Sequence, residues 1–285
     1  MTQWSRLSWL ITGASSGFGL ELAKAVLAAG GRVAAATRDP TRLADLAAQH
    51  EGRLFPVAMD VGDGASIRTA AAQVAATFGP VDVLVNNAGY SLVGAIEEVD
   101  EAEYRPVLEL NFFGVVALTR LLLPGMRARR RGFVVNFSSV SGVVGPPGSG
   151  FYAAAKFAVE GWSDSLRAEG APLGIGVMVV EPGPFRTEFF GEKRLYPARE
   201  IADYVNVRAR RERPAEQPGA QPGDPARGAA VIIEAMQSAA PPARLPLGSI
   251  AAGMIPQIYR DRIAEAEAWA DRSRQADFVG RTPST

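Results

Sequence analysis

The stretch LSWLITGASSGFGLELAKAVL, residues 7–27, decides the fold, because its hydrophobic period changes half way along. Leu7 to Ile11 is a short apolar run of buried-strand length, whereas Leu20, Leu22, Ala23, Val26 and Leu27 recur at helical spacing. Between them, Thr12-Gly13-Ala14-Ser15-Ser16-Gly17-Phe18-Gly19 forms a glycine-rich turn that opens the helix. The first amides of a helix have no internal partner and sit at its positive end, so they attract an anion. Gly13 permits the tight turn, Gly17 lets the backbone approach a pyrophosphate, and Gly19 allows the helix to pack closely on the strand.

The same alternation continues outward from that stretch. Arg32–Ala36, Leu54–Met59, Val81–Val85, Phe133–Phe137 and Ile175–Val180 read as further strands separated by helical segments. Such alternation predicts an α/β fold, a doubly wound parallel sheet of Rossmann type covered on both faces. Right-handed crossovers bring every strand's carboxyl end to one edge. The glycine turn, Asn86 to Gly89, Ser139 and Pro182-Gly183 all follow strand ends, so they converge on one cleft.

Tyr152 and Lys156 stand four residues apart in FYAAAKFAVEG, which reads as helical, with Ser138-Ser139 upstream. That spacing puts a phenol and an ammonium on one helix face. A neighbouring cation stabilises a phenolate, so Tyr152 is expected to titrate below the ordinary value of about 10 and to exchange a proton near neutrality. On its own the spacing equally marks an amphipathic surface helix.

Together these motifs resemble the short-chain dehydrogenase/reductases, in their shorter, non-extended branch. The glycines are spaced G-x-x-x-G-x-G, Asn86-Asn87-Ala88-Gly89 follows the strand ending at Val85, and Asn111 lies in LNFFG. Ser139 precedes Tyr152 by thirteen residues, and Pro182-Gly183 with Thr187 follows a late strand. The resemblance covers residues 7 to 187. It implies a dehydrogenase or reductase in which Tyr152 is the general acid or base and Lys156 lowers its pKa and holds the nicotinamide ribose. Ser139 would donate to the substrate oxygen, and Asn111 would hold a water for proton resupply. The cofactor would contact Gly13, Ser15, Ser16, Gly17, Phe18, Gly19, Asn87, Ala88, Gly89, Tyr152, Lys156, Pro182, Gly183 and Thr187, with Asp60 and Val61 at the adenine.

Thr37 stands where NAD-type members tend to carry an aspartate, and Arg38 beside it can clamp a 2′-phosphate, so the resemblance favours NADP over NAD. Asp39 follows directly, and the glycine turn carries no basic residue. Aromatic and aliphatic residues from Phe189 to Tyr204, with Tyr90, Val93, Val143, Val144 and Pro146-Pro147, suggest an apolar carbonyl or secondary alcohol of medium size. Two other readings stand beside the NADP-dependent reductase: an NAD(P)-sensing regulator without turnover, and a lyase or epimerase with transient oxidation.

Residues 1–285 are expected to form one domain, with a mobile substrate lid and linker over about 188–224 and a helix, last strand and helical extension beyond. Equal numbers of acidic and basic residues argue against a nucleic acid or a charged membrane surface as partner. Arg127–Arg131 and Arg208–Arg213 are expected to be solvated loop charges. The chain has no cysteine and one histidine, His50, so thiolate chemistry and a multi-histidine metal site are not expected. The lack of cysteine suits the cytoplasm, and no run of about 20 apolar residues stands out as a membrane span. A homodimer or homotetramer is expected from the resemblance, with Phe157, Val159 and Trp162 near its interface.

Overall fold

The computed structural model of the chain describes residues 7–191, 193–213 and 216–278. In chain order its elements are β1 (Ser8–Thr12), α1 (Gly17–Ala28), β2 (Arg32–Thr37), α2 (Ala44–Gln49), β3 (Leu54–Ala58), α3 (Gly64–Gln73), β4 (Val83–Asn86) and β5 (Ser91–Leu92). There follow α4 (Glu101–Leu108), α5 (Gly114–Arg129), β6 (Gly132–Phe137), α6 (Gly150–Gly170) and β7 (Ile175–Pro182). The remainder is β8 (Arg194–Leu195), α7 (Val205–Arg211), α8 (Pro225–Gln237), β9 (Arg244–Leu247) and α9 (Ser249–Arg274).

Seven strands form one sheet in the order β3-β2-β1-β4-β6-β7-β9, and every pairing is parallel. Alternate residues of each strand feed opposite layers. Trp9 and Ile11 join Leu22, Val26, Ile232 and Met236 beneath α1 and α8. Leu10, Leu84 and Val134 face Ile67, Leu118 and Leu166 beneath α3, α5 and α6. Burial on both faces explains why the central strands read as continuous apolar runs.

The strand order reverses between β1 and β4, the switch point at which doubly wound sheets bind ligands. Here Thr12 and Asn87 lock two strand ends together. The Thr12 hydroxyl accepts from the Asn87 and Ala88 amides, each at 3.0 Å, and Asn87 Nδ2 donates to the Thr12 carbonyl at 2.8 Å.

Three expectations need correction. Residues 188–224, expected as a mobile lid and linker, carry regular structure of their own: β8 pairs parallel with β5, and α7 is anchored where Arg211 meets the buried Glu98 at 2.9 Å. Burial disfavours the Glu98 carboxylate, but the Ile201 and Ala95 amides and Arg211 outweigh it and hold it below the usual carboxylate range. The arginine runs are anchors as well. Arg131 pairs with Asp82, which is buried, at 2.8 Å, and Arg210 pairs with Glu216. Finally, Glu101–Arg129 is one helical stretch, long and apolar enough by composition to cross a membrane. Glu109 and Arg120 interrupt its apolar sequence, and in the fold Leu118 and Met126 pack it on the sheet. Of the expected interface residues, Phe157 is exposed, whereas Val159 is core.

Candidate active site

The glycine turn has the shape its spacing predicts. Gly13 and Gly17 adopt left-handed backbone, with φ of +65° and +54°, which an L side chain resists. A β-carbon on Gly19 would meet the Gly13 carbonyl oxygen at 2.4 Å, so α1 crosses β1 as closely as a side chain-free residue allows. Ser16 precedes the helix without capping it, which leaves the amides of Gly17, Phe18 and Gly19 open to an anion. The Phe18 ring turns the other way, into the core against Phe185 at 4.7 Å, so only its main chain faces the turn. Thr187, in the segment after β7, covers the turn, its side chain 3.1 Å from where a Gly17 β-carbon would lie.

Two adjoining cavities share Gly13, Ala88, Gly89 and Lys193. The larger, about 950 Å³, runs from Ser15 past Thr37, Arg38, Asp60 and Val61 to Leu110. Thr37 donates to the Ser15 hydroxyl at 3.0 Å. Asp39 accepts from the Thr41 amide at 3.0 Å, capping its own turn while Arg38 stays exposed on the rim. Two cations that sequence reasoning missed complete this wall, Arg42 and Lys193. Lys193 donates to Ser16 Oγ at 2.8 Å, and both cations flank Glu188, at 3.1 and 3.5 Å. Arg42 was visible as the second basic residue in RDPTR, but nothing in the sequence around Lys193 signals its approach to a turn 177 residues away.

The second cavity, about 490 Å³, contains Ser139, Tyr152 and Lys156, with Phe189, Phe190, Val93, Val144 and Pro146 on its apolar side. Pro182 and Gly183 line it as well. Val143 lies instead in a small core cluster with Ala251 and Ile255. Ser139 begins the turn after β6 and accepts from the Ser141 amide at 3.1 Å. Its own hydrogen is thereby free to point at the Tyr152 phenol, which lines the same cavity. Lys156 donates to the Phe137 carbonyl at 2.8 Å, and its Nζ lies 5.6 Å from the Tyr152 ring centre.

The expected fall of the Tyr152 pKa does not occur in this state. Burial pushes the phenol up from its ordinary value, and the Ser139 hydroxyl offsets this only in part. Burial also lowers Lys156 to about 8, against the opposing charge of Glu160. Lys156 is turned to a carbonyl rather than to the phenol, so desolvation outweighs the cation's pull.

Asn111 sits in a single π-turn, Glu109–Phe113, between α4 and α5, a feature common at functional sites. Its Nδ2 donates to the carbonyls of Tyr90 at 3.0 Å and Val107 at 2.9 Å. Its Oδ1 is buried without a partner, and a β-carbon on Gly89 would sit 2.9 Å from Oδ1 and 3.8 Å from Lys156 Nζ. An orphaned acceptor in a glycine-lined space beside an ammonium fits a bridging water or ligand. The residues present therefore fit a dinucleotide: a cradle of open amides, a cationic wall, and a polar group awaiting a partner.

Comparison with known proteins agrees with this geometry. A family model described as short chain dehydrogenase matches residues 8–197. The chain is 34% identical to oxidoreductase BOA17 of Botryotinia fuckeliana, over 93% of this chain and 97% of that protein. It is 41% identical to a 3-ketodihydrosphingosine reductase of Bacteroides thetaiotaomicron, over 65% of this chain and 66% of that protein. The solved structure of a short-chain dehydrogenase from Streptomyces avermitilis superposes with a TM-score of 0.88 at 43% identity, covering 95% of this chain and all of that one.

Proposed function

The chain belongs to the short-chain dehydrogenase/reductase family, and from that premise we propose that it is an NADP(H)-dependent reductase of an apolar carbonyl compound with Tyr152 as general acid. The observation that carries this is the buried phenol of Tyr152, lodged with Ser139 and Lys156 in a cavity with one apolar wall. Oxidoreductase chemistry with a nicotinamide dinucleotide comes with the family. The bound nicotinamide would supply the hydride, and the protein supplies position and electrostatics.

The state of each side chain supports reduction. Tyr152 keeps its proton across ordinary pH, as an acid must before it delivers that proton to a developing alkoxide. Ser139 donates to the same oxygen and stabilises its charge. Lys156 would hold the ribose hydroxyls of the bound dinucleotide. As the substrate oxygen gains charge, it draws the phenolic proton, and Lys156 stabilises the phenolate left behind. Asn111 Oδ1 anchors a water that returns a proton toward Lys156.

NADP preference is supported by Thr37, which repels no phosphate, and by Arg38, with Arg42 and Lys193 close by. An apolar substrate is supported by the Phe189 and Phe190 wall and by the lipid-like ketone in the name of the Bacteroides relative. Residues 188–224 act as the substrate lid of a single domain, and the working enzyme is a homo-oligomer in the cytoplasm.

The test is NADPH absorbance during incubation with a panel of long-chain and cyclic ketones, with Tyr152→Phe run beside the native protein. NADPH oxidation that Tyr152→Phe reduces to below a few per cent, with NADPH binding kept, is the expected result. Comparable turnover by the variant would overturn the assignment, and NADPH binding without turnover of any ketone would favour the sensor reading.

A further inference from the structure

Tyr152, Lys156 and Glu160 succeed one another at four-residue spacing on one face of α6. The proposed chemistry uses the first two and leaves Glu160 unexplained. Glu160 is buried, and across from it on β7 lies Glu181, which has no exposed surface. Neither oxygen of Glu181 receives a hydrogen bond from any N–H or hydroxyl among the described residues. The carboxyl that shares its surroundings is that of Glu160: oxygens of the two lie 3.9 and 3.0 Å from the same Arg244 nitrogen. Two buried carboxylates so placed repel, and a hydrogen bond between them needs one of them to carry a proton.

The surrounding charges do not remove that need. Nε of Arg244 on β9 lies 3.0 Å from Glu160 and 3.9 Å from Glu181, and its Nη2 is taken by Asp164 at 2.6 Å. Arg167 also pairs with Asp164, at 2.5 Å. From α9, Tyr259 and Arg262 face the cluster, Tyr259 being pushed up first by its own burial and then by Glu181. Ser138, one residue from Ser139, is buried beside the cluster, and its hydroxyl partly offsets the rise that burial imposes on Glu160. One guanidinium thus serves three carboxyl groups, two of them buried.

We propose that Glu160 and Glu181 share one proton and that this pair is a positioning element for Lys156, keeping it an ammonium ion while adding only one buried anion behind it. The proposal rests on the reading that Lys156 belongs to the reacting centre. Burial, with the Glu160 charge added, lifts Glu181 to about 7, and burial likewise raises Glu160. Loss of the shared proton near neutrality therefore places a second anion behind Lys156. Lys156 becomes harder to deprotonate and is drawn away from the cofactor side of the site.

Glu181→Gln is the variant to make, because its amide can donate to Glu160 in place of the proton. Infrared difference spectra between pH 6 and pH 8, on ligand-free protein, read the pair without any substrate. The native protein should lose one protonated-carboxyl C=O band across that interval, and the variant should lose none. NADPH affinity, titrated by fluorescence over the same interval, reads Lys156. Relative to the variant, the native protein should change affinity roughly fivefold, as expected for one unit charge gained near an ammonium in a protein interior. The 2′-phosphate's own titration is common to both proteins and cancels.

A missing band, a band that persists in the variant, or superimposable NADPH profiles would each overturn the proposal. Thermal unfolding of both proteins at pH 6, where the carboxyl is neutral, checks that the variant is folded. Glu160→Gln serves as the second variant and should abolish the same band. Because the infrared readout involves no turnover, failure of the reductase assignment would leave the band in place and is told apart in this way.

Discussion

Substituting Gly19 by alanine tests whether the approach of α1 to β1 shapes the dinucleotide cradle. The added β-carbon would stand 2.4 Å from the Gly13 carbonyl oxygen and 2.6 Å from Asn87 Nδ2. Neither neighbour can step aside freely, since Gly13 is held at φ +65° and Asn87 is bonded to the Thr12 carbonyl. Two effects then oppose each other. Alanine favours a helix over glycine by about 1 kcal/mol. Forcing a methyl into a rigid, filled space costs about 1–3 kcal/mol, and weakening the Asn87 hydrogen bond adds about 1 kcal/mol. The balance is a net loss of about 1–3 kcal/mol, with the amides of the turn displaced from their positions.

Gly253 in α9 is the control, because a β-carbon there meets nothing within 4 Å and only the helical gain of about 0.4–1 kcal/mol remains. Urea midpoints and NADPH titrations on both variants should separate them in sign. Gly253→Ala should gain stability and bind as the native protein does. Gly19→Ala should lose stability and bind NADPH at least tenfold more weakly, a change of about 1.4 kcal/mol. Equal stability and equal binding in the two variants would refute the idea that backbone contact fixes the turn.

Three further outcomes are expected. Arg38→Ala should lower the NADPH-to-NADH affinity ratio by about tenfold, as for loss of a charge-assisted phosphate contact; an unchanged ratio removes Arg38 from the phosphate site. Glu98→Gln leaves the half-buried Arg211 with only its 3.9 Å contact to Glu200 and the Tyr196 ring and should cost about 1–3 kcal/mol, seen as faster proteolysis within residues 194–213 than in the native protein; identical cleavage would show that the pair does not hold α7. Glu181 has a folded pKa of about 7 against 4.5 unfolded, so its contribution to stability is intact below pH 4.5 and lost as pH rises to 7. Glu181→Gln should accordingly gain on the native protein between those values, by about 3 kcal/mol at pH 8, and parallel pH–stability curves would contradict this.

The sheet was legible because its central strands, buried on both faces, write uninterrupted apolar runs into the sequence. All five strands read after the first lie within two residues of their observed ends. Tyr152 and Lys156 stood out through their helical spacing and Asn111 and Ser139 through the family resemblance, and the structure gathers Ser139, Tyr152 and Lys156 in one cavity with Asn111 beside Gly89. What escaped was set by contacts between distant segments. The pairing of Ser91 with Arg194 has only two residues per strand and no periodicity to detect. Arg210 and Arg211 looked solvated because their partners, Glu216 and Glu98, are recognisable only after folding. The Tyr152 pKa was misjudged in direction because four-residue spacing fixes which face Lys156 shares, but not which acceptor its flexible chain chooses.

The position of β9 at the sheet's edge bears on how the chain reaches this state during synthesis. β7 carries IGVMVVEP, and its outer side is covered only when Val179 to Pro182 pair with Arg244 to Leu247. About sixty residues intervene, which at typical translation rates is roughly 3–12 s of delay. Throughout that interval a nascent chain offers an unpaired, apolar, nearly uncharged strand to any other chain nearby, the condition that invites strand-to-strand association. The arginine that opens β9 and pairs with Glu160 therefore ends the exposure as it completes the charge cluster, so truncations before Arg244 should aggregate on expression even though the dinucleotide cradle is fully encoded.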